Sequence, residues 1–292
     1  MSFGDLDIQD SSRFLSSFGH AKLTRCLSHR YLDSVYFELN QILKKNRLNP
    51  NSSVGKLEEN VNSYGEGWEF SENLWRYSPR LLRSLVRGPL AEIAKLLFMH
   101  LFGSANHLSL LRDQTYFKNP GSESTPWHQD GTFLPLPSLK SLTFWIPFMN
   151  IDSTLSPMHY IDSSHKSCWL GNISAQRDCH VDSFDSLYKY FLNESFGITI
   201  YDNVCKGDIL VHDSWTMHGS PPHIGSKPRL AMVVVYYLAD GSVSICPSLR
   251  MINESNTSQA RSLRSLNEKL LFPGMNGLDL SGFNSKTPAV RC

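Results

Sequence analysis

Thr125-Pro126-Trp127-His128-Gln129-Asp130 places an imidazole and a carboxylate two residues apart. On a β-strand, residues i and i+2 face the same way, so both side chains can reach one ion. A third ligand must come from elsewhere. The best candidate is His218, in Val211-His212-Asp213-Ser214-Trp215-Thr216-Met217-His218-Gly219-Ser220-Pro221. Two histidines and one carboxylate on one face of a metal are the donor set of non-haem Fe(II) oxygenases, and they leave three adjacent positions open. Eleven residues beyond His218 stands Arg229, a guanidinium suited to bidentate pairing with a carboxylate. Each piece alone is common in proteins that bind no metal. The conjunction, in this order and at these separations, carries the metal reading.

Further stretches join these. Asp113-Gln114 precedes Lys118-Asn119-Pro120-Gly121-Ser122; Ser163-Ser164-His165-Lys166 and Gly207-Asp208 follow the His-x-Asp pair; His218-Gly219-Ser220 and Arg229-Leu230-Ala231 close the set. Over roughly residues 80–240 the chain resembles the phytanoyl-CoA dioxygenase (PhyH) family of Fe(II)/2-oxoglutarate oxygenases. It departs from the family at Asp162-Ser163, where Pro-Gly is usual, and at Ser156, where Gly is usual before Pro157-Met158. Neither departure touches a ligand.

The resemblance implies a double-stranded β-helix with Fe(II) at its open end, held by His128, Asp130 and His218. It implies that 2-oxoglutarate chelates the iron and that O₂ is the other cosubstrate, with succinate and CO₂ as products. The far carboxylate of 2-oxoglutarate then needs a buried cation, because an unpaired buried charge is costly. Arg229 is the expected cation, Ser220 adds a hydroxyl, and Lys118 and Trp145 match family positions near the cosubstrate. His212, with Asp213 after it, is the rival third ligand, but it lies inside the apolar run 209–213, whereas His218 sits in the family's His-Gly-Ser pattern. Iron halogenases on this scaffold replace the carboxylate with a small residue. Asp130 therefore favours hydroxylation or a related oxidation of an unactivated C–H. Phe133, Leu134, Phe144, Trp215 and Met217 are expected to line a pocket for a small, largely apolar molecule.

The elements that must position these groups are only partly legible. Residues 1–20 read as a loose polar tail, and 21–45 as a helix, with Leu23, Leu27, Tyr31, Val35, Leu39 and Leu43 at helical spacing. Residues 46–78 are turn-rich; helices start at Pro79 and again at Pro89, and Gly103 caps the second. Strands follow at 107–117, 142–149, 158–161, 198–201, 209–212 and 229–238, with an excursion at 164–197 that turns helical near 183–196. Residues 241–292 read as an extension with one short helix near 258–271. Helices first and then many short strands indicate an α+β protein with a sandwich or jelly-roll core. The chain is expected to be one oxygenase domain: a tail at 1–20, a mainly helical flank at 21–105, a jelly-roll core at 106–240 and an extension at 241–292.

With 28 Lys and Arg against 27 Asp and Glu and no basic stripe, nucleic acid is not an expected partner. No stretch is apolar enough to span a membrane. The six cysteines are scattered without a C-x-x-C and read as reduced thiols, which points to the cytoplasm. Two other functions use the same residues. A metallohydrolase could use the His₂-carboxylate set with Zn²⁺, but it has no need of Arg229. An oxygenase acting on a protein side chain keeps every ligand, and the chain shows no recognisable peptide-docking module.

Overall fold

A computed structural model describes residues 5–48, 68–133, 140–167 and 184–238. The expected helix near 258–271 and the middle of the 164–197 excursion lie outside these residues.

Strand β10 (Arg229–Leu238) is the centre of the larger sheet. It pairs antiparallel with β3 (Leu108–Lys118) on one side and β5 (Ser141–Pro147) on the other. Further strands complete the order β1-β8-β5-β10-β3-β2: β1 (His20–Leu23), β2 (Trp68–Glu72) and β8 (Ile209–Asp213). A smaller sheet has the order β4-β9-β6-β7: β4 (Thr125–His128), β6 (Met158–Ile161), β7 (Ile198–Tyr201) and β9 (His218–Ser220). All pairings between these strands are antiparallel.

The two sheets close on each other as a jelly roll. Met158 and Tyr160 of the small sheet pack with Trp145, Leu210 and Val233 of the large one. On the outer face of the large sheet, Phe144, Met232, Val234 and Tyr236 meet four helices. These are α1 (Asp5–Phe18), α2 (His29–Leu48), α3 (Pro79–Arg87) and α4 (Pro89–Phe102). A fifth helix, α5 (Phe184–Asn193), covers the outside of the small sheet against Trp127, Ile161 and Met217. Burial on both faces explains why the β10 sequence is apolar throughout and does not alternate.

Local signals fix the α3–α4 corner as expected. The Ser78 side chain accepts from Leu81 N, Pro79 and Pro89 open the helices, and Gly103 ends α4 in the left-handed region at φ 71. The N-terminus differs from its expectation. Residues 5–18 form a helix with Ile8 and Leu15 buried, not a loose tail. Leu23, read as a helix position, lies in β1 opposite Ile209. That pairing joins residues nearly two hundred positions apart, so local periodicity carries no trace of it. Strand β2 likewise forms on the edge of the sheet in a stretch that reads as turns. No helix among the described residues is long and apolar enough to cross a membrane.

Candidate metal centre and cosubstrate pocket

His128 and His218 are direct partners across the β4–β9 ladder. Each ring binds the carbonyl two residues before it: His128 Nδ1 to Pro126 O at 2.8 Å and His218 Nδ1 to Thr216 O at 2.9 Å. A carbonyl only accepts, so each Nδ1 carries the hydrogen and each Nε2 keeps its lone pair. Both Nε2 atoms point to one carboxylate oxygen. Asp130 Oδ1 lies 3.6 Å from His128 Nε2 and 3.8 Å from His218 Nε2. The ligating atoms of His128, Asp130 and His218 all fall within 4.8 Å of one another.

Asp130 is not on the strand with His128. β4 ends at His128, and Asp130 opens a 3-10 turn, Asp130–Phe133. That turn is tied down by Gly131 N–H to Ser214 O at 2.7 Å and by Gln129 Nε2 to Trp215 O at 2.6 Å. Trp215 was expected in the substrate pocket. Its indole instead lies against Gly131, where an added Cβ would sit 2.8 Å away.

The second oxygen of Asp130 is already engaged. Thr143 Oγ1 donates to Oδ2 at 2.6 Å, and His212 Nε2 lies 3.2 Å from it. His212 Nδ1 is 3.2 Å from the hydroxyl of the fully buried Tyr160. A carboxylate oxygen accepts from Nε2–H, which leaves Nδ1 to accept from Tyr160. The rival ligand of the sequence therefore stands on the far side of Asp130, and Oδ1 alone faces the two imidazoles. Thr143 and Tyr160 were not foreseen. The available signal for Thr143 was its place two residues before Trp145 on an inward-facing strand register.

Electrostatics favour the metal-binding protonation states. Burial lowers the pKa of His128 and His218 and so favours the neutral rings that a metal needs, while the Asp130 carboxylate pulls the other way. Burial works to raise Asp130, but the imidazoles, His218 first, outweigh it and hold the carboxylate well below its usual range. Two neutral nitrogens and one carboxylate oxygen need lose no proton to bind a divalent ion, so the donor set suits Fe(II).

Arg229 lines the same cavity, and Lys118, its direct partner across β10 and β3, is buried beside it outside the lining. Lys118 Nζ reaches Ser156 Oγ at 2.8 Å, Ser220 Oγ at 3.2 Å and Thr125 Oγ1 at 3.4 Å. Arg229 donates to the carbonyl of Ser156 and lies 5.6 Å from the Trp145 ring centre. Among the described residues no carboxylate pairs with Arg229, and its buried Nε has no hydrogen-bond partner. Burial, reinforced by the Arg229 charge, pushes Lys118 down to about 5, and burial lowers Arg229 to about 10. A site that strains two cations in this way is built for an anion. Ser156 stands at φ 54 and Ser163 at φ 62. These are positions where the family has glycine, and left-handed backbone explains that usage.

The cavity, about 230 Å³, is lined by Arg229, the His–Asp–His cluster, Phe70, Arg112, Gln114 and Tyr116. Trp145, Met158 and Val233 supply apolar wall. Besides Trp215, two more residues expected in that wall are not there. Phe144 points to the helix side of the large sheet and meets Tyr236 edge-on, and Met217 packs under α5 with Trp127. Each follows from the period of two: its neighbours Thr143 and His218 take the inward face. Phe133 contributes the last residue of the turn after Asp130, and Leu134 lies outside the described residues.

The phytanoyl-CoA dioxygenase (PhyH) family matches residues 17–231. No curated protein matches the chain by sequence. Among solved structures, the non-heme alpha ketoglutarate dependent carbocyclase SnoK from nogalamycin biosynthesis is similar with TM-score 0.60 at 21% identity, covering 84% of this chain and 89% of its own. EvdO2 from Micromonospora carbonacea var. aurantiaca, solved with 2-oxoglutarate, is similar with TM-score 0.55 at 19% identity, covering 81% and 93%. EctD from S. alaskensis, solved with 2-oxoglutarate and 5-hydroxyectoine, is similar with TM-score 0.56 at 20% identity, covering 80% and 77%.

Proposed function

The chain belongs to the phytanoyl-CoA dioxygenase family, and from that premise we propose that His128, Asp130 and His218 hold its Fe(II) while Arg229 holds its 2-oxoglutarate. It is a non-haem iron, 2-oxoglutarate-dependent dioxygenase. The observation that carries the residue roles is the convergence of two Nε2 atoms and Asp130 Oδ1 in a cavity that also holds an arginine with no acidic partner among the described residues.

Bound Fe(II), with 2-oxoglutarate and O₂, supplies the oxidising power for attack on an unactivated C–H, with succinate and CO₂ released. The chain's own residues do the rest. Carbonyls of Pro126 and Thr216 fix the tautomers of the two histidines. Thr143 and His212 hold Asp130 Oδ2, so that the carboxylate offers one oxygen to the metal. Arg229 pairs with the far carboxylate of the cosubstrate, and Lys118 and Ser220 add donors beside it. Trp145 covers the guanidinium, and Phe70, Tyr116, Met158 and Val233 keep water from the reacting centre.

The substrate is a small, largely apolar molecule, such as a natural-product intermediate. The apolar part of the wall and the limited cavity volume support this, as do the natural-product titles of relatives such as SnoK. The hydrolase reading leaves Arg229 without a purpose. Screening small molecules for substrate-dependent succinate release tests the proposal. Release that stays at the background rate with small molecules and rises only with a protein substrate would transfer the activity to a side chain.

A further inference from the structure

A second arginine faces the cavity, and the cosubstrate does not account for it. Arg112 lies on β3 in register with Val235 of β10. Val235 pairs with Thr143 of β5, the residue that holds Asp130. Arg112 therefore stands level with the metal centre, two strands from Thr143, about 10 Å across the sheet at the usual strand spacing. Lys118, level with Arg229, is six residues further along β3, or about 20 Å. The far carboxylate of 2-oxoglutarate, held at Arg229, cannot be the group that Arg112 meets.

Arg112 is half-buried and lines the cavity with Gln114 two residues on, while Tyr116 and its cross-strand partner Phe70 stand further along β3 towards Arg229. Among the described residues it has no ion pair and no hydrogen bond, and its Nε is fully buried without a partner. Glu72, a carboxylate that also lines the cavity, is exposed and accepts from Gln114 Nε2 at 3.2 Å. A guanidinium stripped of part of its water without a counter-ion is costly, and the cost is recovered only when an oxyanion arrives. Its planar fork selects a carboxylate.

We propose that Arg112 binds a carboxylate on the organic substrate, which makes that substrate a small acid with an apolar body. The apolar body lies against Phe70, Tyr116, Met158 and Val233, within reach of the metal centre. This inference rests on the iron and 2-oxoglutarate reading of the site. It adds a polar end to a substrate that composition alone describes only as apolar.

The test uses the protein loaded anaerobically with Fe(II) and 2-oxoglutarate. A panel of straight-chain and phenyl-substituted carboxylic acids, each with its primary amide, is titrated by calorimetry. At least one acid should bind about tenfold or more tighter than its amide, the scale of one charge-assisted hydrogen bond. Arg112→Gln should erase that preference, and Arg112→Lys should keep part of it. Both variants should keep the visible charge-transfer band of the Fe(II)–2-oxoglutarate chelate, which also shows that they fold. No acid preference anywhere in the panel, or a preference that survives Arg112→Gln, overturns the proposal. So does a loss of 2-oxoglutarate affinity in Arg112→Gln, which would assign Arg112 to the chelating carboxylate of the cosubstrate. A wild-type protein that never forms the band would sink the oxygenase site itself, and the acid–amide comparison would then be read separately.

Discussion

His128 and His218 face each other as direct partners of the β4–β9 ladder, their ring centres 4.2 Å apart. The strand pairing sets the spacing of the two nitrogens, and Gly219 lets the strands approach. A Cβ at Gly219 would meet Thr125 O at 2.9 Å and the Phe184 ring at 3.2 Å. The first contact is backbone and cannot move without parting the strands. Gly219→Ala should weaken Co(II) binding by at least about tenfold and lower the melting temperature by several degrees. Unchanged Co(II) affinity would show that this pairing does not set the site.

Asp130 Oδ2 is held by Thr143 and His212, and removing either donor frees it to compete for the metal. Thr143→Val and His212→Phe should each cost roughly 10–100-fold in Co(II) affinity, the usual scale for partners that orient a ligand. His212→Gln returns an N–H and should recover part of the loss. His218→Ala should abolish turnover outright. Retained activity in His218→Ala, with none in His212→Ala, would exchange the roles of the two histidines.

Arg229 should act on the cosubstrate and spare the metal. Losing one partner of a buried, hydrogen-bonded charge pair costs about 3–5 kcal/mol. At about 1.4 kcal/mol per tenfold, that is roughly a hundredfold to several thousandfold in 2-oxoglutarate affinity. Arg229→Ala should raise the KM for 2-oxoglutarate accordingly, with Fe(II) binding near wild type. Arg229→Lys should restore part of it, since the charge returns without the fork. A variant that loses thermal stability but keeps its KM would make Arg229 a structural residue.

Lys118 gives 2-oxoglutarate binding a pH dependence of definite sign. Burial first, then the Arg229 charge, lowers it to about 5, so the free site is neutral there near physiological pH. An arriving carboxylate favours the ammonium form and raises that pKa. Binding then takes up a proton, and affinity strengthens as pH falls from the bound-state value towards the free-state one. Calorimetry in buffers of different ionisation enthalpy should show uptake in the wild type and none in Lys118→Met. Equal uptake in both proteins would place the proton elsewhere.

The cluster of His128, Asp130 and His218 and the buried Arg229 were legible because each sits in a short motif whose chemistry is local: His-x-Asp, His-Gly-Ser, and an arginine opening a β-branched strand. Strands such as Arg229–Leu238 and the Pro79 and Pro89 helix starts were legible for the same reason. What was missed depends on contacts between distant residues. Strand β1 exists because of β8, and His212 is a neighbour of Asp130 only after β5 and β8 pair. The pocket wall was misjudged by nearness in sequence: Phe144 and Met217 each stand one residue from a site group, and on a strand that puts them on the opposite face. Arg112 and Thr143 carry no motif. Only their shared row across the large sheet brings them to the cavity.

The most direct measurement is an anaerobic titration of the purified protein with Fe(II) in the presence of 2-oxoglutarate, followed in the visible. The wild type should develop the weak charge-transfer band of a chelated 2-oxoglutarate, saturating at one iron per chain. Asp130→Ala and His128→Ala should lose it while remaining folded. A wild-type protein that binds both Fe(II) and 2-oxoglutarate without the band, or an Asp130→Ala protein with the full band, would contradict the assignment of His128, Asp130 and His218 as the iron site.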